Sequence, residues 1–189
     1  MRAILRRLGL AILGLAIGAG TLAAWTMQSA RAQRTVHGVW SRNLLPGQQP
    51  AGPYHRLQIA MGGLLGLPPD EAIYLVAETD EQGRAFDAAC RYRIEGVPPP
   101  TRWWSLTPYD ANSHLIPNPG GRYSIGSTSV MLDVDGRFSV TLAADDPGAL
   151  PLDAEPGGHV LLRLYDPEPG LVERLGELEL PTIEREECS

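Results

Sequence analysis

The side chains best able to do chemistry are concentrated in residues 101–127, TRWWSLTPYDANSHLIPNPGGRYSIGS. His114 could act as a general base if a carboxylate such as Asp110, four residues earlier, orients its imidazole. However, Asp and Asn are ordinary turn formers, and a single histidine in a loop is more often only solvated. The spacing therefore gives one weak catalytic candidate, the pair Asp110 and His114.

Aromatic residues in the same stretch indicate a binding surface. If RWWSLTPY is a strand, alternate side chains face opposite sides, so Trp104 and Leu106 point into the core while Trp103 and Tyr109 lie on the other face. Large, rigid, amphipathic rings on such a face suit sugars and lipids. A second packed layer or a dimer contact would use the same rings, so both alternatives stay open.

Two arginines beside predicted strands, Arg122 and Arg163, could clamp an anionic group through forked guanidinium contacts. They could equally pair with Asp110 and Asp166 and only fix the loops. The candidate ligand-binding residues are Trp103, Tyr109, Asp110, His114, Asn118, Arg122, Tyr123 and Arg163.

Other chemistries find little support. The histidines at positions 37, 55, 114 and 159 lack HxH or HxxxH spacing, so we expect no metal site. GRYSIGS is G-x-x-S-x-G rather than the G-x-S-x-G of hydrolase elbows, and no Walker or Rossmann glycine pattern occurs, so we expect no cofactor. Residues 70–189 hold nine arginines and 22 acids, a net charge of −13, which argues against a nucleic-acid partner.

The elements that position these residues are predicted to be short β-strands. Beyond Pro69 the hydrophobic period becomes two in AIYLVAET, CRYRIEG, RWWSLTPY, RYSIGS, SVMLDV, RFSVTL, HVLLRLY and ELELP. Strands without alternating helices predict an antiparallel sandwich over 70–187. In one hairpin, we expect Leu132 opposite Phe138 and Val130 opposite Val140, with 134–136 as a loop that ends on a left-handed glycine.

The N-terminus is predicted to be a membrane anchor. Three arginines precede the uncharged run 8–25, which at about 1.5 Å per residue spans roughly 27 Å and could cross a bilayer. Residues 1–25 would then be a single-pass transmembrane helix, with the arginines in the cytoplasm and the remaining chain outside. Ala30-x-Ala32 supports an alternative, a signal peptide removed near Ala32.

Between anchor and sandwich we expect a tether and one short helix. Residues 26–52 are rich in Gln, Gly, Pro and Ser and are predicted to be the tether. Residues 53–67 are predicted to form an amphipathic helix joined to the sandwich, with an apolar stripe that comprises Leu57, Ala60, Met61, Leu64 and Leu65.

The two cysteines, Cys90 and Cys188, match no zinc or thioredoxin spacing. In an oxidising compartment they could form one disulfide between an early strand and the C-terminus. The alternative is one buried thiol and one thiol at a frayed end.

Five fragments in chain order, RWWSLTPYD, LIPN, RYSIGS, DGRFSV and HVLLRLYDP, resemble the domain of unknown function 1214 over residues 73–183. The resemblance implies a jelly-roll-like β-sandwich in an exported or membrane-tethered bacterial protein, with no established activity and no catalytic residue to transfer. Many members have a preceding domain of unknown function 1254, which we do not expect in this chain.

Three functions are compatible with these observations. The first is a non-enzymatic binding or accessory module, anchored in the cytoplasmic membrane and facing the periplasm, that binds an envelope ligand or a protein partner. The second is a hydrolase of an envelope lipid, glycan or small ester that uses His114 and Asp110. The third is a structural subunit that docks to a second chain.

Overall fold

The computed structural model describes residues 2–32, 34–43, 67–153 and 156–188. In these ranges, helix α1 precedes nine strands, and a single turn of 3-10 helix (Leu175–Glu177) lies before the last one. The elements are α1 (Arg2–Ala32), β1 (Arg34–His37), β2 (Trp40–Asn43), β3 (Ala72–Ala77), β4 (Cys90–Gly96), β5 (Thr101–Tyr109), β6 (Ile125–Gly126), β7 (Phe138–Leu142), β8 (His159–Pro167) and β9 (Thr182–Cys188).

The strands form two antiparallel sheets. The larger sheet has six strands in the order β1-β2-β3-β8-β5-β6, and the smaller has three in the order β7-β4-β9. Strands β5 and β8 are paired along most of their length, from Thr101 opposite Pro167 to Tyr109 opposite His159. The prediction of a mainly β, antiparallel fold is confirmed.

The core lies between the inner faces of the two sheets. Trp104 and Leu106 of β5 are buried there, as the alternation of the strand predicts, together with Ile94 of β4. The ring centroids of Trp104 and Phe138 are 4.7 Å apart, which joins β5 of the larger sheet to β7 of the smaller one. Each aliphatic or aromatic side chain buried in this way stabilises the fold by about 1.5–3 kcal/mol.

The predicted hairpin register is correct at its tip but ends sooner than expected. Leu132 bridges Phe138, and Gly136 has a φ of 74°. The amides of Ser129 and Val130 both donate to the carbonyl of Gly126 at 2.9 Å, so the chain turns before it can extend the ladder. SVMLDV is therefore not a strand.

The C-terminal strand also differs in position from the expectation. ELELP includes the end of the 3-10 turn and an extended link, and β9 begins only at Thr182. Glu177 N donates to Arg174 O at 2.9 Å, so this segment bonds locally instead of pairing with a strand. Cys90 and Cys188 are direct partners in the β4–β9 register, and their sulfur atoms lie 1.98 Å apart, at disulfide distance.

The N-terminal region is more ordered than a tether. Helix α1 extends to Ala32, and β1 and β2 form a hairpin on the edge of the larger sheet where we expected a tether. The reason is Trp40, which is buried in the core and donates from Nε1 to the carbonyl of Pro181 at 2.6 Å. Within α1, residues 6–25 are long and apolar enough to cross a membrane. The helix predicted at 53–67 lies outside the described residues, except for its last position.

Candidate functional site

The outer side of the larger sheet, away from the core, carries an unusual set of side chains. Because β5 and β8 are antiparallel neighbours in register, their outward residues form adjacent pairs. We call this surface the aromatic face, and its residues are Tyr74 of β3, Trp103, Ser105, Thr107 and Tyr109 of β5, and His159, Leu161, Arg163 and Tyr165 of β8.

Arg163 is the centre of the aromatic face. It lies opposite Ser105 on one side and Tyr74 on the other. Its Nη1 donates to Thr107 Oγ1 at 2.9 Å, and its Nη2 donates to the hydroxyl of Tyr109. The guanidinium carbon also lies 5.5 Å from the centroid of the Tyr109 ring. These contacts hold the guanidinium in one orientation without neutralising its charge.

No described carboxylate forms an ion pair with Arg163. The arginine ion pairs that the structure describes involve other residues, including Arg102 with Asp166 at 3.7 Å. The pairing of Arg163 with Asp110 or Asp166 that the sequence left open is therefore not found in the described part of the chain. Outside it, the only acidic side chain is Glu155. A partly buried, fixed and uncompensated cation is a feature of anion-binding sites.

Aromatic rings flank the guanidinium along β8. The rings of Trp103 and Tyr165 have their centroids 5.3 Å apart at an angle of 50°. Burial, and next the neighbouring Tyr165, raise the pKa of Tyr74, while the charge of Arg163 opposes this rise only in part. Tyr74 thus stays a neutral hydroxyl at physiological pH.

At the other end of the face, His159 stacks on Tyr109. The two ring centroids are 5.5 Å apart and the rings are nearly parallel, at 15°. Burial lowers the pKa of His159, although Glu78 and Asp110 act in the opposite direction. A neutral imidazole is therefore favoured here, and it supports the ring that holds Arg163.

The exposure of the side chains varies across the aromatic face. Ser105 and Thr107 are only 3% and 4% exposed, whereas Trp103 is 37% exposed. Tyr109, Arg163 and Tyr165 keep intermediate exposure. The short hydroxyl side chains thus form a floor between longer, partly accessible rings and the guanidinium.

Asp110 and His114 do come together, but in a turn. Asp110 Oδ1 accepts hydrogen bonds from the backbone amides of Asn112 at 2.8 Å and His114 at 2.7 Å. His114 Nδ1 lies 3.5 Å from Asp110 Oδ2, and the imidazole is 77% exposed. Hydrogen bonds from these amides, above all that of His114, lower the pKa of Asp110. The pair braces the turn that follows β5.

The remaining candidates form a second, separate turn. Asn118 Oδ1 accepts from the amide of Arg122 at 3.0 Å, and its Nδ2 donates to the carbonyl of the same residue at 3.3 Å. The side chains of Arg122 and Tyr123 are exposed. No described contact joins this turn to Arg163, so the structure does not bring all the candidate residues into one site.

Six members of the aromatic face were not among the predicted site residues, namely Tyr74, Ser105, Thr107, His159, Leu161 and Tyr165. The alternation of HVLLRLY could have placed His159 and Tyr165 on the same side as Arg163. Among the residues that the structure describes, no group of three or more His, Cys, Asp or Glu side chains is placed to hold a metal ion.

Two solved structures match part of this chain. The VPA0106 protein from Vibrio parahaemolyticus is 26% identical with a TM-score of 0.59, over 73% of this chain and 36% of that one. An uncharacterised protein from Burkholderia cenocepacia is 16% identical with a TM-score of 0.42, over 64% of this chain and 31% of that one. The chain thus spans about a third of the length of both proteins.

No curated protein matches the sequence. Residues 71–169 match the family described as "Protein of unknown function (DUF1214)". This match covers more than half of the chain and includes β3, β4, β5, β7 and β8 in full. It confirms the family that the five sequence fragments resemble. The protein therefore belongs to the DUF1214 family.

Proposed function

We propose that this protein is a membrane-anchored, non-enzymatic binding module whose aromatic face holds a ligand on the outer side of the cytoplasmic membrane. The observation that supports it most is the state of Arg163, a guanidinium fixed by Thr107 and Tyr109 without a described carboxylate. Partly accessible rings beside it provide area for an apolar or ring-shaped part of a ligand. A few fixed polar groups among aromatic side chains are typical of ligand sites.

Binding is favoured over hydrolysis because of the way Asp110 and His114 are used. The Asp110 carboxylate already accepts two backbone amides, and these bonds hold the turn. A general base must lie within hydrogen-bond reach of the proton of a nucleophile. The imidazole of His114 is 77% exposed, and its one described side-chain contact is with Asp110.

Several features support the proposed location. Residues 6–25 could cross the membrane, and three arginines, at positions 2, 6 and 7, precede its uncharged part 8–25 and favour a cytoplasmic N-terminus. A bridge between Cys90 and Cys188 suits an oxidising compartment such as the periplasm. A jelly-roll-like arrangement of the two sheets remains part of this proposal, as does removal of the leader near Ala32 as the alternative to an anchor.

The location is tested by adding protease to intact spheroplasts that express the full chain. We expect digestion of the β-domain, because it would lie outside, and a membrane-bound remnant that contains α1. Mass spectrometry of the undigested protein shows whether the leader is kept. A domain that survives until the cells are lysed contradicts the proposal.

The binding function is tested on the full chain in detergent micelles. The melting temperature is measured with phospholipid in mixed micelles, lipopolysaccharide and glycan fragments of the envelope, one class at a time. We expect at least one class to raise it, and we expect Arg163→Gln to abolish the rise. Arg93→Gln, on the other sheet, is the matched control and keeps it. No rise with any class contradicts a ligand-binding role.

A further inference from the structure

We infer that the aromatic face binds an acidic saccharide, with the carboxylate on Arg163 and the sugar ring against Trp103 and Tyr165. This inference rests on the proposed binding function and names the chemical class of its ligand. It follows from three properties of the face: the geometry of the guanidinium, the balance of charge around it, and the mixture of rings and hydroxyl groups.

The guanidinium is oriented for a forked contact. It has five N–H donors, and Thr107 Oγ1 and the Tyr109 hydroxyl are its described acceptors. The donors that remain match the two oxygens of a carboxylate, which can accept parallel hydrogen bonds from one guanidinium. Because neighbouring side chains already fix Arg163, a ligand has little side-chain entropy to remove on binding.

The surrounding charge favours a ligand with a single negative charge. Residues 70–189 have a net charge of −13, so a polyanion would be repelled by the rest of the domain. Arg163 contacts only hydroxyl groups and a ring among the described side chains, and burial lowers the pKa of His159 and raises that of Tyr74. The carboxylates of Glu78 and Asp110 act on His159, at the end of the face. One carboxylate balances this site, whereas a phosphate dianion or an anionic polymer exceeds it.

The rings and hydroxyls favour a sugar over an acyl chain. Trp103 is 37% exposed, and its partner Tyr165 is two residues from Arg163, about 7 Å along the strand. This spacing allows one ring-shaped body to touch the aromatic pair while its carboxylate reaches the guanidinium. Hydroxyl groups of Ser105, Thr107 and Tyr74 interrupt the apolar surface, and that of Thr107 is already paired with Arg163. The half-buried hydroxyl of Tyr74 can bond a sugar hydroxyl, whereas an acyl chain offers it no partner.

The test is isothermal titration of the full chain in a polyoxyethylene detergent, which contains no sugar. The probes are galacturonate, galactose, benzoate and inorganic phosphate. We expect galacturonate to bind and the other three to bind at least tenfold more weakly. Arg163→Gln is expected to reduce galacturonate affinity by roughly tenfold or more, because it removes a charge-assisted pair of hydrogen bonds.

Two further variants separate local from general effects. Trp103→Ala, at an exposed position, is expected to weaken galacturonate binding and leave the melting temperature nearly unchanged. Arg93→Gln is expected to leave the affinity for galacturonate unchanged. If it reduced this affinity as much as Arg163→Gln does, the effect would come from the overall charge of the domain, and the inference would be overturned.

The remaining outcomes also decide the question. Binding of galactose as tight as that of galacturonate overturns the role of the carboxylate, and equal binding of benzoate or phosphate overturns the role of the sugar. If galacturonate does not bind while phospholipid or lipopolysaccharide still raises the melting temperature in a manner that depends on Arg163, the saccharide inference fails and the binding module stands. If nothing binds, both fail.

Discussion

The outer faces of the two sheets each contain one central arginine, and the surroundings of the two arginines are opposite. On the smaller sheet, Arg93 of β4 lies 2.7 Å from Glu95, 3.1 Å from Glu184 and 2.9 Å from Glu186. We call this surface the acidic face. On the larger sheet, Arg163 contacts two hydroxyl groups and an aromatic ring.

The difference lies in whether the charge of the arginine is balanced by neighbouring carboxylates. The carboxylate of Glu95, with Glu186 and Glu184, raises the pKa of Arg93 and more than balances its charge. Hydroxyl groups orient a guanidinium but add no negative charge. The acidic face therefore compensates its own arginine, whereas the aromatic face leaves a positive charge that an incoming anion can balance.

The largest expected effect comes from removing the disulfide of the smaller sheet. Cys90→Ser with Cys188→Ser removes the covalent link between β4 and β9 and is expected to lower stability by about 2–5 kcal/mol. Urea unfolding of the full chain in micelles measures the loss. Hydrogen exchange should increase first in β9, while β5 and β8 stay protected. An unchanged urea midpoint contradicts this prediction.

The next largest effect concerns the edge of the larger sheet. A Cβ on Gly126 would lie 2.3 Å from the carbonyl oxygen of Trp104, so Gly126→Ala must push β6 away from β5. We expect a loss of about 1–3 kcal/mol, as for other overpacked sites. Gly148→Ala is the control, because its Cβ would approach only the side chain of Asp146, at 3.1 Å. Equal melting temperatures for the two variants contradict the description of this edge.

A smaller effect compares the two arginines directly. Arg93→Gln leaves three carboxylates close together, so we expect a lower melting temperature at low salt and recovery at high salt, where their repulsion is screened. Arg163→Gln leaves only hydroxyl neighbours and should show no such recovery. Thermal melts at two ionic strengths measure both. A recovery of the same size in Arg163→Gln would remove the distinction between the faces.

The smallest effect is the dependence of stability on pH at the end of the aromatic face. Because burial lowers the pKa of His159 in the fold, the unfolded chain takes up a proton first as the pH falls below about 6.5. Stability should therefore decrease between that value and the lower folded pKa. His159→Gln should flatten the profile over this range in a pH series of melts. If stability depends on pH with the same slope in the variant, a group other than His159 causes the effect.

Local patterns predicted part of this structure well. The alternation of β5 placed Trp104 and Leu106 inside and Trp103 and Tyr109 outside, and the chemistry of the 134–136 turn gave the contact of Leu132 with Phe138. These predictions succeed because they depend on residues that are close in the chain. The predictions of strands at SVMLDV and ELELP are wrong because alternation does not reveal competing local hydrogen bonds. At both places, backbone amides bond to a nearby carbonyl, that of Gly126 or Arg174, instead of pairing with a strand.

The site depends on contacts that no local pattern contains. Arg163 and Tyr109 are 54 residues apart, and they meet because β5 and β8 are neighbours in the sheet. Strand order is set by the packing of the whole core, so the sequence could propose both residues without pairing them. In the same way, the sequence predicted that Asp110 and His114 lie close together. It could not show that the Asp110 carboxylate accepts hydrogen bonds from the backbone of its own turn.

The most direct test observes the two arginines while an anion is added. The Nε–Hε signals of Arg163 and Arg93 are assigned by NMR with the two glutamine variants of the full chain in micelles, and galacturonate is then titrated. The account predicts that the Arg163 signal shifts in a saturable manner, together with the indole signal of Trp103, while the Arg93 signal stays in place. A titration in which Arg93 moves as much as Arg163, or in which neither moves, would contradict it.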